Sequence, residues 1–126
     1  MNLLADANWL IRLEREHKQG RQGPARKLLS VSRVFINPIA YCEFLSLGLT
    51  PARKTILAAL SYVPSVNYED ATLASKLRFQ RAKQGKALAT PDALIAATAL
   101  RQKLRLVTAD KDFSGIPGLK WSGYRD

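Results

Sequence analysis

The chain has 126 residues, 47% of them hydrophobic and 24% charged, and its twenty Lys and Arg against ten Asp and Glu leave a net charge of +10. A single domain (residues 1–126) of that length buries a core without a metal or disulfide staple, and the lone Cys42 excludes an internal disulfide and fits a reducing compartment. The opening MNLLADANWLIRLERE has no basic leader region and no apolar run approaches the ~18 residues of a membrane span, so a cytoplasmic protein without membrane contact is expected.

In chain order, NLLAD reads as a short buried strand that ends in Asp6. ANWLIRLEREH places Trp9, Leu10 and Leu13 at helical spacing, and the glycines of KQGRQGP end that helix. ARKLLSVS predicts a helix, RVFINP a second strand closed by Pro38, and IAYCEFLSLGL a helix stopped by Gly48. PARKTILAALSYV is a further helix behind Pro51, and VPSV a brief strand that Pro64 confines to an edge. YEDATLASKLRFQRAKQG has acids in its first turn and Gly85 as its C-cap. In TPDALIAATAL, Thr90 is the expected cap and Pro91 the first helical residue. LRLVTAD reads as a strand ending at acids and LKWSGY as a last edge strand.

Strands alternating with helices imply an α/β fold whose mostly parallel central sheet carries helices on both faces. In such sheets the ligand site lies beyond the carboxyl ends of the strands. Asp6 ends the first strand and Asp110 and Asp112 follow the LRLV strand; Glu43 interrupts an apolar helix face and Asp92 opens a helix. The helix dipole alone, worth about 0.3–1 kcal/mol, would account for Asp92. Carboxylates gathered in one pocket repel one another unless a cation joins them, and Mg²⁺ or Mn²⁺ prefers such oxygen ligands.

The basic surplus suits a polyanionic partner, most simply nucleic acid. Seven basic residues and two acids lie between Arg12 and Arg33, and Lys76, Arg78, Arg81, Lys83 and Lys86 form a tract without an acid. An acidic metal pocket inside a basic protein is what phosphodiester hydrolysis requires. His17 is the only histidine, which excludes a two-histidine ribonuclease; it reads as a surface residue at a helix end. Cys42 has no histidine near it in the sequence and reads as a buried small hydrophobe. Asn8 stands where a phosphoaspartyl phosphatase needs its second Asp, and no phosphate-binding glycine loop occurs.

LLADANWLIRL, INPIAYCEFLSLGL, DALIAATAL and LVTADKDFSGIPGL resemble, in order, the signatures of the PIN-domain superfamily, and more narrowly the VapC-type ribonuclease toxins of toxin–antitoxin pairs. The resemblance implies a sheet of about five strands and a Mg²⁺- or Mn²⁺-dependent endoribonuclease. Asp6, Glu43, Asp92 and Asp110 match the family's four acids, with Asp6, Asp92 and Asp110 as metal ligands. Asn8, Thr108 and Asp112 match supporting positions. Ala7 departs from the Thr or Ser often found there and removes a hydroxyl near the first acid. RNA as substrate, a cognate antitoxin and a homodimer are implied as partners. A non-cleaving RNA-binding module and a housekeeping RNA-processing nuclease are the alternatives.

Overall fold

The computed structural model describes residues 1–124. Five strands, β1 (Asn2–Ala5), β2 (Arg33–Ile36), β3 (Ser61–Tyr62), β4 (Arg105–Val107) and β5 (Trp121–Ser122), form one sheet in the order β3-β2-β1-β4-β5. Every pairing is parallel, with Leu3 opposite Val34 and Leu4 opposite Leu106. Six α-helices flank it: α1 (Ala7–Gln19), α2 (Pro24–Val31), α3 (Pro38–Leu45), α4 (Pro51–Ala58), α5 (Tyr68–Lys83) and α6 (Thr90–Gln102). A single-turn helix, Lys111–Phe113, follows β4. The strand order reverses direction between β1 and β4, and the crevice beyond their carboxyl ends is where such a sheet offers a site.

The central strands are short apolar runs because both faces are covered: Leu3, Leu4, Ala5, Leu106 and Val107 are all buried. Helix α6 buries Ala93, Ile95, Ala96, Ala97 and Ala99, and its small side chains let it lie close against its neighbours. Three sequence expectations are corrected. Ala89 occupies the N-cap of α6 without a side-chain bond, so Thr90 is the first helical residue and Pro91 the second. Helix α3 ends at Leu45, before Gly48. The edge strand lies at Ser61–Tyr62, ahead of Pro64 rather than around it.

Two carboxylates on α1 anchor its neighbours. Glu14 and Arg53 form a buried ion pair at 2.7 Å, and Arg53 also donates to the carbonyls of Phe44 and Gly48, so one guanidinium ties α1, α4 and the end of α3 together. Arg53 holds the Glu14 carboxyl below its ordinary pKa. Glu16 is fully buried and accepts from the backbone N–H groups of Ala25 and Arg26 and from Arg12. It serves as the N-cap of α2, whose own cap position is Gly23 and has no side chain. A Cβ at Gly23 would overlap the Glu16 carboxylate.

Gly23→Ala should therefore lower unfolding free energy by about 1–3 kcal/mol, by pushing the carboxylate off the buried N–H groups. In a Glu16→Ala background the same change should cost little. Denaturant midpoints of the four proteins in that cycle check it, and an equal cost in both backgrounds would refute the contact as the cause.

Candidate active site

Asp6 follows β1 directly and caps α1, its Oδ1 accepting from the Ala7 N–H at 2.8 Å. Its Oδ2 accepts from the Thr108 hydroxyl at 2.7 Å and from Asn8 Nδ2 at 3.0 Å. Thr108 follows β4, is fully buried, and accepts in turn from Asn8 Nδ2 and the Asp110 N–H, both at 3.0 Å. Asp110 caps the single-turn helix by accepting from the Asp112 N–H at 2.9 Å. One hydroxyl thus fastens the ends of the two central strands and both of their acids. The hydroxyl missing at Ala7 leaves no gap in this network, since Thr108 and Asn8 supply the donors to Asp6.

Asp92 reaches the cluster from the first turn of α6 and Glu43 from α3. Asn37, at the carboxyl end of β2, sets the relation between those helices. Its Oδ1 caps α3 through the Ala40 N–H, and its Nδ2 donates to Thr98 in the middle of α6 at 3.0 Å. Glu43 and Cys42 are exposed while Phe44 is buried, so the expectation of a buried Cys42 is corrected: the α3 face that packs inward is Ala40 and Phe44.

Burial raises the pKa of Asp6, and the Asp110 charge adds to it; the donors from Thr108, Ala7 and Asn8 work against both. Glu43, though exposed, is raised by partial desolvation of its carboxyl and by the Asp6 charge. Asp92 is pushed up to about 6, first by burial and then by the charges of Asp6, Asp110, Glu43 and Asp112. Among the described residues no basic side chain offsets that repulsion at Asp92. Among the described residues no three Asp, Glu, His or Cys side chains are already drawn into a metal cage. The donor set is a loose group of carboxylates coupled through their charges. That suits an ion such as Mg²⁺, which keeps several waters and shares its remaining positions with phosphate oxygens.

Tyr124 is a member of this network that sequence reasoning missed. Its hydroxyl donates to Asn8 Oδ1 at 2.7 Å, and the same oxygen accepts the Ala109 N–H. Burial and the nearby Asp6 charge push the phenol up to about 12, so it stays a donor. Asn37 was missed too, although an Asn before a proline at a strand end is a readable capping signal.

The basic tract divides. Lys76, Arg78, Lys83 and Lys86 are exposed, with Lys83 above the Phe79 ring at 4.5 Å and Arg78 donating to the Leu88 carbonyl. Arg81 is buried and donates to the carbonyls of Asp112 and Ser114 at 2.8 Å. Its charge is spent holding the segment behind Asp110, which corrects its expected place in a nucleic-acid surface. His17 is exposed near the end of α1, as expected.

A family model of the PIN domain matches residues 3–119. The chain belongs to the PIN domain family. This PIN domain is similar to a chain of the Rickettsia felis VapBC2 complex with a promoter DNA fragment (TM-score 0.81, 18% identity, covering 99% of this chain and 100% of that one). A toxin–antitoxin complex from Klebsiella pneumoniae contains a chain 27% identical, with a TM-score of 0.68 and coverage of 93% and 94%. VapBC-1 from nontypeable Haemophilus influenzae gives a TM-score of 0.72 at 21% identity, covering 98% of each chain. No curated protein matches the chain.

The Asp92 shift has a sign that stability measurements can read. Its ordinary pKa is 3.8, so between there and about 6 the folded chain holds more protons on this group than the unfolded chain does. The group's contribution therefore favours the fold below that window and is lost as pH rises through it. Asp92→Asn should be more stable than wild type at pH ~7, and the advantage should vanish near pH 4, as followed by urea midpoints. A pH-independent difference would refute the electrostatic coupling.

Proposed function

We propose that this PIN domain is a Mg²⁺- or Mn²⁺-dependent endoribonuclease and the toxin half of a VapC-type toxin–antitoxin pair. The observation that carries the reading is the Asp92 carboxyl, raised to about 6 among four other acids, with no basic side chain among the described residues to offset them. Such a pocket is adapted to a cation and to a substrate that brings one near. The net charge of +10 supplies attraction for a polyanion. Similarity to a chain of the Klebsiella pneumoniae toxin–antitoxin complex supports a place in such a pair and, with it, a protein partner; the homodimer is part of the proposal on the family resemblance alone. No helix among the described residues is long and apolar enough to cross a membrane, which accords with a cytoplasmic site of action.

Asp6, Asp92 and Asp110 would hold the metal directly or through water. When bound, the ion compensates their charge, lowers the pKa of the attacking water and neutralises charge on the phosphoryl oxygens. Glu43, exposed at the rim, orients that water and accepts its proton; its raised pKa makes it a stronger base than an ordinary carboxylate. Thr108 and Asn8 fix the orientation of Asp6, and Asp112 supports Asp110 through its N–H. Water attacks phosphorus and the 3′-oxygen leaves, so the neighbouring 2′-hydroxyl does no chemistry.

Cleaved RNA should carry 5′-phosphate and 3′-hydroxyl ends, formation of which stops in chelator and returns with Mg²⁺ or Mn²⁺. A 2′-deoxy sugar at the cleavage position should still be cut. Glu43→Gln should lower the cleavage rate about 10²–10⁴-fold, the usual weight of a general base. Asp92→Asn should abolish cleavage while the protein stays folded. Ends bearing 2′,3′-cyclic phosphate, or full activity in excess chelator, would overturn the mechanism.

A further inference from the structure

The sheet is electrically bipolar. Its acids gather beyond the carboxyl ends of the strands, while the amino ends carry bases: Arg33 opens β2, Arg105 opens β4, and Lys120 precedes β5. At that amino end lies an open groove of about 540 Å³, lined by Leu100, Lys103, Arg105, Leu119 and Lys120 among others and, among the described residues, by no carboxylate. Several bases elsewhere are neutralised in pairs: Arg12 on Glu16, Arg53 on Glu14, and Arg101 on Glu69 and Asp70. Lys103, Arg105 and Lys120 have no carboxylate partner among the described residues. Glu69 and Asp70, which open α5 near the end of α6, are both taken up by Arg101.

Lys103 is the second observation. It ends α6 in the left-handed conformation (φ 57°, ψ 44°) and is the sole non-glycine with positive φ among the described residues. Glycine is the usual residue there, and a branched-out side chain carries a backbone cost. The helix dipole favours a lysine anywhere in the last turn, so it gives no reason to place one at the strained position. What the strained position does provide is an ammonium group at the groove.

We propose that this groove between the end of α6 and the amino ends of β4 and β5 is a second RNA-binding site, in which Lys103, Arg105 and Lys120 take backbone phosphates of the same substrate. The inference rests on the endoribonuclease reading for the identity of that ligand. The groove and the acids lie at opposite ends of a strand four residues long, roughly 13 Å at about 3.3 Å per residue. A mononucleotide cannot touch both, whereas a folded or extended RNA passing around the sheet edge can. The site therefore selects for length and shape rather than for a base.

The test measures binding of the full chain to a labelled RNA of about 25 nucleotides and to one of about five, in chelator so that no cleavage intervenes. The variants are Lys103→Gly and Lys103→Gly with Lys120→Gln; Arg105 is left alone because its guanidinium also donates to Trp121 and Ser122 across the sheet. The double variant should bind the long RNA several-fold more weakly. Its log–log salt slope should fall by about 1.5, the release expected from two phosphates, with short-RNA binding unchanged. Lys103→Gly alone should melt at a higher temperature than wild type while weakening long-RNA binding, which a loss of fold would not do. Unchanged long-RNA affinity and slope would overturn the proposal. So would equal losses for both RNAs, phosphate binding lost with RNA binding intact, or equal competition by polyglutamate, which would indicate an acidic protein partner. A wild type that binds long RNA through this groove but does not cleave it with Mg²⁺ would defeat the proposed activity and leave this site standing.

Discussion

The fold is organised around keeping the Asp6 carboxylate ionisable while 5% exposed and beside other acids. Burial favours its neutral form, and each neighbouring negative charge adds to that. Three donors oppose the shift, from Ala7, Asn8 and Thr108, and each is itself fixed by something else. The Ala7 N–H is the first of α1 and has no acceptor within the helix. The Thr108 hydroxyl is oriented because it also accepts from Asn8 and Asp110, and the Asn8 amide is oriented by the Ala109 N–H and the Tyr124 hydroxyl. The order of β1 and β4 as neighbours is what makes this closure possible, since it brings residues 102 positions apart within hydrogen-bond reach.

The other acids are held differently. Asp92 and Glu43 come from helices, and the geometry between those helices is set by Asn37 and Thr98, a buried polar pair at 3.0 Å whose bonds are otherwise satisfied by Ala40 and Leu94. A buried pair of that kind adds little net stability, about 1 kcal/mol, but a shifted register would leave both groups unpaired. It works as a positional lock. Arg81 does the same for the third side of the pocket, gripping the carbonyls behind Asp110 from α5.

Much of this was legible in the sequence, and the boundary between what was and what was not is physical. Helices, strands and the strand-end positions of Asp6 and Asp110 follow from local pattern, because hydrophobic spacing and capping act over a few residues. Glu43 and Asp92 were legible as acids out of place in apolar surroundings. The α6 cap was misplaced by one residue because Thr90 satisfies the local rule better than Ala89, which the chain uses. Tyr124 and Arg81 were illegible in those roles because their partners lie far away in sequence: Asn8 stands 116 positions from Tyr124, and Asp112 stands 31 from Arg81. Cys42 was misjudged from residue type alone. Its burial depended on which α3 face met α6, and Asn37 decides that face.

The arrangement joins folding to chemistry more tightly than a site on one loop would. The acids are carried by the turn after β1, by α3 and α6, and by the turn after β4, so none is in register until the sheet and two crossover helices have docked. A partly opened chain that releases α6 loses Asp92, and with it the charge that makes the pocket both unstable alone and suited to a cation. Repulsion among the acids works against docking, and a bound cation reverses its sign, so ion binding and the last step of packing favour one another. The basic groove at the opposite end of the sheet carries the complementary cost, a cluster of unpaired positive charge that a polyanion relieves. Under the proposed activity each end of the sheet would be less stable empty than filled, and the opposite signs of those two costs would determine which way round a metal ion and a phosphate chain meet the fold.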